Sequence, residues 1–158
     1  MPLTDAAGED KAAAAKGKAK APSTVAKTVP VTPKVVRDKS GRLISSSATI
    51  TPENLYGGTA STDAARAMAA PDDAGHIIGR LLGGRGGANS ENIIAQLPAV
   101  NRGAFRKLEA FVAAQVKAGK NVRVTVEVIY PSATANRPSM IRYSTTIDGV
   151  TTVTSSPN

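Results

Sequence analysis

The sequence predicts an α+β fold, and three stretches point to it. Arg102 to about Ala118 is strongly helical in its spacing, "NVRVTVEVIY" alternates without interruption directly after it, and "MIRYSTTI" alternates again before an Asp148-Gly149 turn signal. A helix followed by strands joined through hairpin turns builds an antiparallel meander beside the helix, not an alternating βαβ series. The 158 residues hold no internal repeat and suffice for one domain and a tail.

In chain order, residues 1–40 read as a flexible tail: "KAAAAKGKAKAPSTVAKTVPVTPKVV" is Ala, Lys, Pro, Thr and Val without an aromatic. Pro22, Pro30 and Pro33 interrupt any helix longer than the Ala/Lys run. The domain is expected over 41–158. Gly41 to Thr51 is a first strand, Asp63 to Ala70 a short helix, and the stretch around His76 a short strand leading into a loop. "NIIAQLP", Asn92 to Pro98, is a second short apolar run. In the main helix Phe105, Leu108, Phe111, Val112 and Val116 mark an apolar face, with Arg102, Arg106 and Glu109 on the opposite stripe. Asn101 is placed as its N-cap, and Gly119 between Lys117 and Lys120 as its stop. Val122, Val124, Val126, Val128 and Tyr130 share one strand face; Ile141, Tyr143, Thr145 and Ile147 share the next.

There is no cysteine, which excludes a disulfide framework and a thiolate zinc site. No stretch approaches the roughly 18 apolar residues of a membrane span, so membrane insertion is not expected. "MPLTDAAGEDK" lacks the apolar segment of a secretory signal. The net charge of +8 implies an acidic partner such as nucleic acid. Residues 1–42 carry nine Lys/Arg against four Asp/Glu, so much of that excess is in the tail.

"DDAGHIIGRLLGGRGG", Asp72 to Gly87, holds His76, the only histidine. Downstream stand Asn92, Asn101 nine residues later, and Glu109 eight after that. From Asp73 to Glu109 the chain resembles the DNA/RNA non-specific endonucleases, whose catalytic unit is the ββα-metal (His-Me) finger. "DAGH" matches the family's Asp-Arg-Gly-His tetrapeptide with Ala74 in place of arginine, as in bacterial toxin-type members, and "NRGAFRKLE" matches its helix. The likeness continues through the strands that follow and covers about 41–158.

The resemblance implies a ββα-metal finger followed by the meander, and assigns roles. His76 becomes the general base, a task suited to an imidazole that is largely neutral at pH 7. Asn101 becomes the metal ligand, a hard, neutral oxygen donor appropriate to Mg2+, with Mn2+ as an alternative ion. Glu109 orients metal-bound water, and Asn92 supports the site by hydrogen bonding. Asp73 of the tetrapeptide is grouped with the substrate contacts. Arg80, Arg85, Arg102 and Arg106 are the candidate phosphate contacts, since guanidinium engages phosphate bidentately. A further family arginine, four residues after the glutamate, is Ala113 here, and Arg102 or Arg106 is the expected replacement. "GGRGGANSEN" lacks the Gly-Lys-Ser/Thr ending of a phosphate-binding P-loop and reads as a mobile loop.

The implied reaction is Mg2+-dependent hydrolysis of DNA and RNA with little sequence preference, leaving a 5′ phosphate. The toxin-type likeness implies a bacterial effector, cytoplasmic in the producing cell and then secreted or delivered without an ordinary signal peptide, and neutralised at home by a cognate immunity protein. The alternative is a nucleic-acid-binding module on the same fold whose chemistry has decayed, motivated by the two missing arginines, at Ala74 and Ala113. A weaker third reading is a structural β-rich protein.

Overall fold

The computed structural model describes residues 27–61, 71–87 and 91–158. The short helix expected at Asp63 to Ala70 lies outside the described residues. In chain order the elements are β1 (Lys34–Arg37), β2 (Leu43–Ile50), β3 (Asp73–His76), β4 (Ile93–Gln96), α1 (Phe105–Lys117), β5 (Val122–Ile129), β6 (Met140–Ile147) and β7 (Val150–Pro157). Five strands form one antiparallel sheet in the order β1-β2-β5-β6-β7, and β3 pairs with β4 in a separate two-stranded sheet.

Alternation explains the large sheet. Val122, Val124, Val126 and Val128 of β5 point inward and are buried, as are Ile141 and Tyr143 of β6. The register sets Val126 opposite Tyr143 on one side and Ser46 on the other. Asp148 and Gly149 turn β6 into β7 with φ of 48° and 86°, the positive pair a tight two-residue hairpin requires. The inner face of the sheet packs on Phe105, Val112, Ala113 and Val116 of α1 and on Ile77, Ile78 and Leu82, forming one core. Phe105 meets Tyr143 edge-on with ring centroids 5.4 Å apart.

Two expectations are corrected at the N-terminal side. Residues 34–37, expected within the tail, form β1 and pair with β2, and Val31 is buried. Helical winding starts at Pro98, with a π-helical stretch Val100–Ala104 leading into α1. Asn101 is therefore not an N-cap: its backbone N–H already donates to Leu97 O at 3.0 Å. Proline fits the first helical position because its ring presets φ and the missing N–H has no intrahelical partner there. The main apolar face is also rotated from its expected place. Phe111 is half exposed, whereas Glu109, expected on the solvent stripe, is turned into the protein.

Candidate active site

His76, Asn92, Asn101 and Glu109 all lie on or against the segment from β3 to the loop after it. His76 closes β3 opposite Ile93 of β4. Its Nε2 lies 2.8 Å from the carbonyl oxygen of Thr59. A carbonyl only accepts, so Nε2 carries the proton and Nδ1 keeps its lone pair. Burial holds the His76 pKa below 6.5; the Thr59 carbonyl opposes that shift and the nearby Arg80 charge adds to it. The ring is thus a neutral base at neutral pH, fixed in one tautomer. Behind it, Gln96 donates from Nε2 to His76 O at 3.1 Å and is fully buried, while its own Oε1 has no hydrogen-bond partner among the described residues.

Asn92 secures the chain just after His76. It is buried; its Oδ1 accepts from Ile78 N at 2.9 Å, and its Nδ2 donates to Ile78 O at 2.9 Å and Arg85 O at 3.0 Å. Its backbone carbonyl accepts from Ile77 N at 2.8 Å. The amide behaves as an inserted peptide group, and both its ends are engaged by backbone. The glycine-rich stretch, expected to be a mobile loop, is closely packed at this point. A Cβ on Gly84 would run into the Ile78 carbonyl, so only glycine allows this approach.

Asp73, at the start of β3, gathers two helical side chains. Arg102 donates to it from Nε at 2.8 Å and Nη2 at 2.7 Å, and Asn101 donates from Nδ2 at 3.0 Å. The Arg102 guanidinium, then the Asn101 amide, hold the Asp73 carboxyl below its ordinary range. Asp73, grouped with the substrate contacts from the sequence, therefore has its carboxylate occupied by these two neighbours. A carboxylate accepts only, which also settles the Asn101 amide: nitrogen faces Asp73, and Oδ1 accepts no hydrogen bond among the described residues. Releasing Asn101 from helix capping is what makes this contact available, and π-helical turns of this kind often accompany functional sites.

Glu109, two turns further along the helix, presses its carboxylate against Gly79, where a Cβ would overlap it. No hydrogen bond reaches that carboxylate among the described residues. Burial pushes its pKa up to about 7, against a smaller opposing pull from Arg106. The Glu109 charge in turn reaches the buried Tyr143, whose hydroxyl also has no partner among the described residues; burial first, then that charge, raises the phenol pKa.

Arg80, Arg85 and Arg106 are exposed, and their guanidinium groups make no ion pair or hydrogen bond among the described residues. Arg102, by contrast, is committed to Asp73. Ala113, at the position of the family's helix arginine, is buried.

A second network, not anticipated from the sequence, ties this region to the large sheet. Arg137 forms a bidentate pair with Asp72 at 2.7 and 2.8 Å and also donates to the backbone oxygens of Pro138 and Asn158. The Asn158 side chain accepts from Leu97 N at 2.9 Å and donates to Ala95 O at 2.9 Å. Asp72, just before β3, and the residues between β4 and the helix are thereby clasped to the β5–β6 loop. Thr59, Gln96, Arg137 and Asn158 all escaped the sequence reading. Gln96 alone left a trace, as a polar residue inside the apolar run "NIIAQLP".

No hydrogen bond joins His76, Asn101 and Glu109 to one another, and no group of three His, Cys, Asp or Glu able to hold a metal occurs among the described residues. The arrangement offers instead an oriented neutral base, a free amide oxygen, a carboxylate without donors and three free guanidinium groups. A family model described as DNA/RNA non-specific endonuclease matches residues 23–149. The chain belongs to that family. Its endonuclease domain is 33% identical over 117 residues to the "Probable deoxyribonuclease RhsA" of Dickeya dadantii (strain 3937), an alignment spanning 70% of this chain and 8% of that protein. Among solved structures, the fold resembles NucA from Streptococcus agalactiae. The form with no metal bound superposes with a TM-score of 0.63 at 18% identity, covering 82% of this chain and 72% of that one. The form with magnesium ion bound gives 0.63 at 16% identity, covering 89% and 76%.

Proposed function

We propose that this endonuclease domain hydrolyses phosphodiester bonds in DNA, and in RNA, with little sequence preference, using His76 Nδ1 as general base and a divalent metal ion. The observation that carries the reading is the His76–Thr59 contact, which leaves one nitrogen of a neutral imidazole able to accept a proton from water. The β3–β4 hairpin followed by α1 is read as the ββα-metal finger. The name of the Dickeya relative supports DNA as a substrate.

The residues present fit a hard cation. The Asn101 Oδ1 is aimed away from Asp73, and neither it nor the Glu109 carboxylate has a donor among the described residues. Mg2+ keeps several waters and needs few protein ligands, so one amide oxygen with a carboxylate from the same helical segment is an adequate set. The magnesium-bound NucA neighbour supports that ion, with Mn2+ as a second choice. When bound, the ion would supply positive charge to a phosphodiester. Asn101 would hold it and Glu109 would orient its waters; Asp73 fixes the Asn101 rotamer and acts as a positioning residue. Asn92 positions His76 through the backbone of residues 77 and 78.

Arg80 is the arginine assigned to the phosphate. It has no partner among the described residues, and its charge is felt by His76, whereas Arg102 is held by Asp73. Arg85 and Arg106 extend the same positive rim. Contacts to phosphate rather than base edges carry no sequence information, which accounts for low specificity. Product should carry a 5′ phosphate. The biological role is read as that of a bacterial toxin, exported or delivered after synthesis in the cytoplasm and held in check by an immunity protein. Co-expression of a neighbouring acidic protein should rescue a host from the active chain, and failure to find any toxicity would remove this role.

The deciding experiment is plasmid DNA with purified wild type and His76→Ala, each in Mg2+ or chelator, after circular dichroism has shown both to be folded. Degradation only by wild type with Mg2+ supports the reading. Binding without cleavage by both proteins would replace it with the non-catalytic module.

A further inference from the structure

Tyr56 stands out from the rest of the chain. It is 65% exposed, yet its φ is 62°, a left-handed backbone that bulky side chains seldom adopt. The conformation is held by one tertiary hydrogen bond, Tyr56 N to Leu81 O at 2.8 Å, and one local turn bond, Gly57 N to Asn54 O at 2.9 Å. The ring is therefore held outward on a fixed support and is no part of the core. Lys117, at the end of α1, places Nζ 5.3 Å from the ring centroid and 3.3 Å from the Tyr56 hydroxyl. Beside them opens a hollow of about 680 Å³ with an apolar floor of Pro52 and Leu55 and with Glu53 also on its wall.

The hollow also lies close to the proposed chemistry. From Tyr56 the chain runs along the 80–84 segment, with Gly58 N donating to Arg80 O at 3.2 Å and Thr59 N to Gly84 O at 3.1 Å, and reaches the carbonyl that holds His76. Three residues span at most about 10 Å. At about 3.4 Å per nucleotide along a duplex strand, that is at most about three nucleotides.

We propose that Tyr56 is a stacking platform for one nucleobase of the bound strand, within about three nucleotides of the cleaved bond, with Lys117 at its rim meeting the backbone phosphate. The identity of the ligand rests on the nuclease reading. Stacking on an aromatic ring suits an enzyme without sequence preference, because every base presents a π-face. The polyanion matches the Lys117 ammonium. Glu53 repels phosphate from the hollow itself, so a base enters it and the backbone stays at the Lys117 side. A tyrosine kept only for the lysine contact would not require a strained, exposed ring.

The test uses the His76→Ala chain in chelator, where no cleavage interferes, and a fluorescent single-stranded oligonucleotide followed by anisotropy. Added Tyr56→Leu should weaken binding about tenfold, the order one stacked base contributes. Tyr56→Phe should retain it. Tyr56→Gly, which relaxes the backbone and so guards against a folding defect, should lose it as Tyr56→Leu does. On an oligonucleotide carrying abasic residues throughout, Tyr56→Leu should change nothing. Lys117→Gln should flatten the salt dependence by about one charge, and Tyr56→Leu should leave it unaltered. Equal binding by the Tyr56→Leu variant on the intact strand, or equal loss on the abasic strand, overturns the proposal. With His76 restored, Tyr56→Leu should raise KM and spare kcat. A chain that binds by stacking but never cuts would end the nuclease reading and leave this one standing; one that cuts with an unchanged KM would do the reverse.

Discussion

His76 Nε2 and the Thr59 carbonyl oxygen sit 2.8 Å apart, and that single contact determines which imidazole nitrogen is free. Loss of the ring should cost activity and little else, because His76 is only part-buried. Activity of His76→Ala should fall about 10²- to 10⁴-fold with an unchanged melting temperature. Since burial holds the His76 pKa below 6.5, kcat/KM measured across pH should stay level from pH 8 to about 6.5 and decline only below that. An acid limb centred above pH 7 would assign the base elsewhere.

Asp73 orients Asn101 through its Nδ2. In Asp73→Ala the amide is free to turn and Arg102 loses its anchor. The Mg2+ concentration for half-maximal cleavage should rise about tenfold, the usual effect of removing a partner that orients a ligand. An unaltered Mg2+ titration would show that Asn101 needs no such support.

Gly79 leaves room for the Glu109 carboxylate, and its φ of −62° suits any residue. The effect of Gly79→Ala is therefore steric. It should displace Glu109 and lower cleavage at least tenfold. In a Glu109→Ala background the same Gly79→Ala change should cost almost no stability, because the clash has gone. Equal destabilisation in both backgrounds, by urea unfolding, would contradict this.

Glu109 also predicts a pH-dependent stability in the metal-free protein. Its folded pKa is raised from 4.5 to about 7. The folded state thus binds the proton more tightly than the unfolded state, and stability is lost as pH rises from about 4.5 to 7. Glu109→Gln removes that loss. In chelator the variant should be more stable than wild type by about 1–3 kcal/mol at pH 8, with the difference vanishing near pH 4. Urea melts at both pH values measure it.

Arg137→Gln breaks the clasp on Asp72. A charge-assisted pair of this kind contributes about 1–3 kcal/mol. Because the clasp also holds the turn between β4 and the helix, kcat should fall while KM is retained. A loss of stability with kcat intact would confine the network to folding.

Much of the architecture was legible locally. The valines of β5 and the Asp148-Gly149 pair announce their structures through spacing and turn chemistry alone. The misreadings are equally physical. Asn101 looked like a cap because asparagine favours that position, but Pro98 starts the helix earlier and changes the neighbours of every residue in its first turns. Glu109 was placed on the solvent stripe with Arg106, and the packing of Gly79 against it turned it inward.

The primary structure alone was enough for the fold class, for the ordered set of His76, Asn92, Asn101 and Glu109, and for an excess of positive charge, because periodicity, motif spacing and composition are properties of neighbouring residues. Only the tertiary structure decided the tautomer of His76, the orientation of the Asn101 amide, the raised pKa of Glu109 and the exposure of Tyr56. Each depends on a partner distant along the chain: Thr59 is 17 residues from His76, Asp73 is 28 from Asn101, and Asp72 is 65 from Arg137. Hydrogen bonding and desolvation act through space, and no local pattern encodes which distant carbonyl or glycine a side chain will meet.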